Sequence, residues 1–133
     1  MLGEQIGESR GKRTGRRVLC VDSGFKVEVA FETAGKLLGI ETNEIGTYYA
    51  ATRPDGSLYG EGQGIIIGQD GSNATWKGQG VGRFVGGGAV SYRGAVYFST
   101  ASPALARLNT VAAIFEFEVD AEGNTYSKLW EWK

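Results

Sequence analysis

One pattern constrains this chain more than any other: over residues 58–84, LYGEGQGIIIGQDGSNATWKGQGVGRF, glycine occupies every second position on both sides of a turn. In a strand alternate residues share a face, so Gly60, Gly62 and Gly64 fall on one side and Gly78, Gly80 and Gly82 do the same. The turn sets how the two stripes meet. Gln69-Asp70-Gly71 fits a type I turn followed by a left-handed glycine, a three-residue loop that places Gly68 opposite Ser72, Gly62 opposite Gly78 and Gly60 opposite Gly80. The same grammar recurs at Pro54-Asp55-Gly56-Ser57 and at Ala121-Glu122-Gly123-Asn124, which predicts three tight hairpins of one type.

The rest of the composition narrows the class. A chain of 133 residues makes a single domain, 1–133, and hides roughly two thirds of its unfolded surface. Its 22 glycines and 2 prolines, interleaved with aromatic and β-branched residues, predict strands and turns rather than disorder. Fourteen basic and 15 acidic residues give a net charge of -1, which argues against a general nucleic-acid or membrane-surface partner. The chain has no histidine, so a Ser-His-Asp triad, a Cys-His pair and His-ligated zinc are all excluded. Cys20 is the only cysteine, which rules out an intrachain disulfide and a cysteine-cluster metal site. No metal and no cofactor are expected. The amino terminus, MLGEQIGESR, carries charge where a signal peptide needs an apolar core, and no apolar run nears the roughly 18 residues of a membrane span. A reducing cytoplasm is the expected compartment.

In chain order, residues 4–21 read as one bent strand or two short ones, with Gly7, Gly11 and Gly15 spaced for bends or bulges. Arg10, Lys12, Arg13, Arg16 and Arg17 form the one basic cluster; it reads as a solvated strand face or a charge-protected edge rather than a phosphate site. Val27, Val29 and Phe31 alternate with polar partners as the apolar face of a second strand, which Lys36 to Ile40 would extend past Gly35. A third strand spans about 43–53 and a fourth 57–68. Gly86-Gly87-Gly88 makes another reversal; with Val85 facing Ala89, Tyr92 stands opposite Gly82, Gly94 opposite Gly80, Val96 opposite Gly78 and Phe98 opposite Trp76. Aromatic is thereby matched to glycine across strands, a device that holds register. Ser102 to Leu108 reads as a helical turn with serine as cap and proline in the first position. Two further strands finish a fold read as all-β: an eight-stranded antiparallel up-and-down barrel with one short helical turn, its rival a two-sheet sandwich.

Carrying these registers across strands three to six separates two faces. One holds Tyr48, Ala50, Leu58, Ile66, Trp76, Phe84, Val90, Tyr92, Val96 and Phe98 with the alternating glycines, and its only charge is Glu44. The other holds Glu61, Lys77, Arg83 and Arg93, and burying several unpaired ions is costly, so the first face is the interior. Ala50, Gly60, Gly80 and Gly94 then share one level, bordered by Tyr48 and Tyr92, with Trp76 and Phe98 further along. If Phe31, Phe115 and Phe117 reach over from the opposite wall, that level is filled and the glycines are structural. If not, these residues line an aromatic-rimmed cavity for a small apolar ligand. Glu8, Glu44 and Tyr48 are the candidates for a buried acid or base. The last hairpin allows two registers. A three-residue loop pairs Glu116 with Lys128 and turns Trp130 and Trp132 away from Phe115; a two-residue loop puts all four aromatics on one face.

Strands patterned GEGQG and GQGVG around a DG turn, within an antiparallel meander of this length, resemble the small barrels of the allene oxide cyclase and dirigent type and the bacterial barrels of unknown function that look like them. The resemblance covers most of residues 4–133. It implies a barrel with a mostly apolar cavity, often trimeric or otherwise oligomeric, in which some members mould reactive lipid or phenolic intermediates as they cyclise. None of the cyclase's catalytic residues matches a position here. A homo-oligomer, trimer or dimer, is also expected from the apolar residues Tyr59, Ile65, Ile67 and Val81 on the outward face.

Overall fold

The structure is a computed structural model that describes residues 2–133. Eight strands run in sequence order: β1 (Leu2–Cys20), β2 (Lys26–Leu37), β3 (Ile40–Thr52), β4 (Leu58–Gly68), β5 (Asn73–Gly86), β6 (Ala89–Ser99), β7 (Ala112–Val119) and β8 (Asn124–Trp132). Each pairs antiparallel with the next, and β1 also pairs with β8, so the sheet closes into a barrel. Closure leaves no free edge, which removes the sandwich alternative.

The three predicted turns share one geometry. Gly68 N donates to Ser72 O at 2.8 Å, Arg53 N to Ser57 O at 2.8 Å and Asp120 N to Asn124 O at 2.9 Å. In each loop the glycine takes the left-handed conformation, with φ of 88° at Gly56, 88° at Gly71 and 86° at Gly123. Aspartate holds the turn by accepting backbone hydrogen bonds: Asp55 from Ser57, Asp70 from Ser72, Asp120 from Glu122 and Asn124. These bonds favour the ionised form, and all three carboxyls are held below the usual aspartate range. The last hairpin accordingly adopts the three-residue loop. Glu116 pairs with Lys128, and Trp130 and Trp132 face away from Phe115.

Several details depart from the sequence reading. The third strand begins at Ile40, because Leu38 and Gly39 form a tight turn with φ of 50° and 80°. Leucine rarely takes a positive φ. Here its N–H donates to Ile6 O at 2.8 Å and its side chain packs on the core, and these tertiary contacts offset the local preference. At the glycine triplet Gly86, not Val85, pairs with Ala89, and a bulge at Val85 restores the expected pairs below it. Phe84, on the inward side by register, is 49% exposed at the rim. The region expected as one bent strand or two short ones is a single strand, Leu2–Cys20, its pairing with β2 broken by irregularities between Arg13 and Gly15 and between Val18 and Cys20.

The helical turn is a 3₁₀ helix, Pro103–Thr110, with proline at its start as expected. Ser102 precedes it without capping it; its hydroxyl instead accepts the N–H of Asn73 at 3.0 Å. Leu105 and Leu108 on this helix have no exposed surface and pack with Ile6, Leu37, Ile66, Ala74 and Phe98. The helix therefore plugs one end of the barrel. Towards the other end lies an aromatic group: Phe31, Tyr48, Tyr92 and Phe117 meet at ring-centroid distances of 5.4–6.2 Å in tilted and edge-on pairs.

Candidate interior site

The registers expected for the glycine stripes hold: Tyr48–Gly62–Gly78–Val96 and Ala50–Gly60–Gly80–Gly94 are rows of paired residues across β3 to β6. They are not levels. Barrel strands tilt by about 35–45° from the axis, so a row of paired residues climbs as it crosses the sheet. The Ala50 row starts at Val18 and Val27 and continues through Phe115 and Leu129 to Gly7, far down the strand from which it set out. Ala50 packs with Leu58 and Tyr92 at one end of the row. Gly94 lies under the ring of Phe115, where a Cβ would come within 2.8 Å of Cζ. The four small residues thus do not meet at one height.

Most of the bareness is covered by rings. An added Cβ would strike Phe31 at Gly46, Trp76 at Gly64, Tyr92 at Gly82 and Phe115 at Gly80, all within 3.1 Å. Aromatics from the neighbouring strand, and in the case of Phe115 from the strand beyond it, cover the glycine backbone, which is why the sheet needs glycine there. What remains is a cavity of about 110 Å3 inside the barrel. Its lining includes Tyr48, Gly60, Gly80, Trp76, Tyr92, Phe98, Phe31, Phe115 and Phe117 from the expected set, but neither Ala50 nor Gly94. Tyr48, Trp76, Phe115 and Phe117 point inward yet are only half-buried, as expected for side chains that face open space within a barrel.

Glu44 opens onto this cavity. Its Oε1 accepts the Thr33 hydroxyl at 2.8 Å, and its register pairs it with Thr33 on β2 and Ile66 on β4. Enclosure raises its pKa above the usual glutamate value, opposed in part by Thr33 and by the nearby Trp76 indole. The indole N–H lies outside hydrogen-bonding geometry, so Trp76 Nε1 is buried without a partner. Tyr48 is raised by burial and by Tyr92, and eased by Arg13 and Arg16 near the mouth; burial pushes Tyr92 up to about 12. Glu8 is a correction: it borders the cavity, but it is exposed and stands at the register of Lys36 and Lys128 on the outer face, so it is not a buried acid.

Among the lining residues outside the expected set are four that bear hydroxyls, Ser9 on β1, Thr33 on β2, Thr42 on β3 and Ser127 on β8; Ser9 pairs with Ser127 and with Gly35, and Ser127 with the inward Phe117. The cavity therefore has a ring-lined wall and a hydroxyl-lined wall. Period-two spacing would have placed Ser127 inward beside Phe117, but the irregular pairing of β1 with both neighbours hides the facing of Ser9.

These features define a small closed antiparallel β-barrel with a part-filled aromatic interior. No protein-family model and no curated protein matches the chain in sequence. Solved structures do match its shape. A protein of unknown function from Clostridium acetobutylicum superposes with a TM-score of 0.85 at 16% identity, covering 96% of each chain. A β-barrel-like protein from Acinetobacter baumannii gives 0.82 at 12% identity, over 100% of this chain and 96% of its own. An enzyme from Penicillium herquei gives 0.69 at 15% identity, over 96% and 92%. At such identities the likeness is one of fold alone.

Proposed function

We propose that the barrel binds a small, largely apolar molecule in its interior. The observation that carries this reading is the cavity of about 110 Å3, walled by Tyr48, Trp76, Phe115 and Phe117 and reached by one enclosed carboxyl, Glu44. A void costs its lining the contacts it would otherwise make, which is not expected of a core selected only for packing. The end away from the helix is rimmed by exposed Val18, Val21, Phe25, Phe84 and Val85, a suitable entrance for an apolar guest.

Toluene is the direct probe. It should shift the methyl resonances of Ile66, Val96 and Leu129, and Ser127→Leu, which places a bulky group in the void, should abolish the shifts. If the resonances do not move up to the solubility limit of toluene, the barrel is a structural protein with a filled core.

A second reading is favoured by Glu44 itself. A carboxyl whose pKa is raised by enclosure is suited to donate or take a proton, with Tyr48 on the same inward face as the other candidate, as a cyclase or isomerase of the allene oxide cyclase type would require. The Penicillium neighbour is an enzyme, which keeps catalysis within reach of the fold. A turnover lost in Glu44→Gln, while toluene binding persists, would establish it. Self-association rests on the outward face, where Ile45, Ile65, Ile67 and Val81 are 55%, 49%, 53% and 47% exposed. Light scattering should find a dimer or trimer, and a monomer at high micromolar concentration refutes it.

A further inference from the structure

The irregularity in β1 changes what the mouth of the barrel presents. Ser9, Gly11 and Arg13 alternate along one face of β1, and Arg13 pairs with the inward Phe31. Strict alternation would then turn Arg16 outward. The shift between Arg13 and Gly15 inserts one extra residue, so Gly15 stands opposite Ala30 and Arg16 opposite the inward Val29. Two of the basic residues of β1 thus take neighbouring inward positions, Arg13 half-buried and Arg16 exposed at the rim. Re-aiming a side chain beside a site is a recurrent use of a bulge.

Neither guanidinium has a hydrogen-bond or ion-pair partner among the described residues. The other arginines are placed differently. Arg17, Arg93 and Arg107 are ion-paired, Arg10 and Arg53 lie over tyrosine rings, and Arg83 is exposed on the outer face. Of the carboxylates at this end, Glu28 is held by Arg17, while Asp55 and Asp120 hold their own turns. Below the two arginines stands Tyr48, and both of them ease an ionisation of its hydroxyl that burial opposes. Phe31, Tyr92 and Phe117 surround that ring and line the cavity with it. Cations and rings therefore face one opening.

A charge turned towards an apolar interior without a counter-ion is costly, and an anion from outside would complete the arrangement. The chain as a whole carries -1, so the attraction would come from these two groups and not from a general positive field. Carboxylates and phosphates both accept paired N–H donors from guanidinium. A head held there stays clear of Glu44, which stands four residues further in along β3, about 13 Å by strand rise. The cavity of about 110 Å3 behind it suits a body the size of one ring.

We propose that the ligand is an amphiphile with an oxyanion head, carboxylate or phosphate, held by Arg13 and Arg16, and a ring-sized apolar body among Phe31, Tyr48, Tyr92 and Phe117. This deepens the ligand-binding reading above and rests on it.

Four probes titrated against the intact protein by NMR separate the alternatives: phenylpropionate, phenylethyl phosphate, the neutral phenylpropanamide, and acetate. At least one aryl anion should bind about tenfold more tightly than the amide, the gain typical of a charge-assisted hydrogen bond, and the tighter of the two identifies the head. Rising salt should weaken the anions alone. In Arg13→Gln/Arg16→Gln the gap should close while amide affinity is kept, and in Arg83→Gln it should persist. A readout on the parent protein guards against a variant that misfolds: the guanidinium Nε–H resonances of Arg13 and Arg16 should move with the aryl anion and not with the amide. Amide binding as tightly as both aryl anions, or unmoved arginine resonances, overturns the proposal and, where toluene binds, leaves an apolar pocket standing. Acetate binding as tightly as phenylpropionate also overturns it, in favour of surface anion contact that makes no use of the cavity. If toluene fails as well as these four, the ligand-binding reading fails with it.

Discussion

At the end of the barrel closed by Pro103–Thr110, Leu105 and Leu108 have no exposed surface, whereas in the aromatic half Tyr48, Trp76 and Phe117 point inward and remain half-buried. Both regions are built from inward residues of the same strands. The difference lies in what fills the space between them. Branched aliphatic side chains delivered by a helix can settle into every gap at the closed end. Flat rings lying on glycine cover the sheet elsewhere but leave the middle of the barrel incompletely occupied. The lesson is that alternating glycine does not by itself create a cavity; it lets rings lie close to the wall, and the cavity is what the rings do not reach.

The contrast can be broken most sharply at the plug. Leu108→Ala should cost about 3–5 kcal/mol, since a fully enclosed leucine is removed where little can collapse to compensate, and the loss would be read as a fall in the urea midpoint with the slope unchanged. A cost below about 1 kcal/mol would mean that the helix is only loosely seated.

Gly80→Leu sharpens the other side. An added Cβ would approach Arg93 O at 2.7 Å and Phe115 Cζ at 3.1 Å, so overpacking should cost about 1–3 kcal/mol while the parent still shows the toluene shifts. A stable variant that merely lost binding would place open space at Gly80, contrary to the close approach of the β6 backbone.

Glu44 supplies a test confined to the cavity half. Its folded pKa is raised, so the native state holds a proton that the unfolded chain releases first. The resulting stability is fully present below the ordinary glutamate range and is lost as pH rises through the raised folded value. Thermal melts across that window should fall for the parent more than for Glu44→Gln. Parallel curves would show that the carboxyl is hydrated.

The smallest effect belongs to the turns common to both regions. Asp70 has a lowered pKa because the hydroxyl and N–H of Ser72 bond to its ionised form. The stability from this is present above the ordinary aspartate range and lost as pH falls through the depressed folded value. Asp70→Asn should lower stability slightly at neutral pH and converge with the parent in acid, so that the acid limb of its stability curve is flatter. An acid limb identical in parent and variant would mean that the turn does not depend on this charge.

The hairpin turns, the pairing of Gly60 with Gly80 and of Gly82 with Tyr92, and the inward facing of Trp76, Phe98 and Glu44 were all legible in the amino-acid order, because turn chemistry and period-two alternation act over a few residues. Beyond that range they say nothing. The tilt that turns the Ala50–Gly94 row into a climb is a property of closure. The burial of Leu105 and Leu108 depends on which end of the barrel their helix covers, and the inward facing of Ser9 depends on irregularities that reset the facing of β1. Leu38 held at φ of 50° shows the same precedence, since its packing outweighs a local rule that would have moved the turn elsewhere. Whether the interior was full or hollow also lay outside the order of residues, because volume inside a closed sheet is set by how rings from opposite walls meet, and those contacts exist only once the first strand has paired with the last.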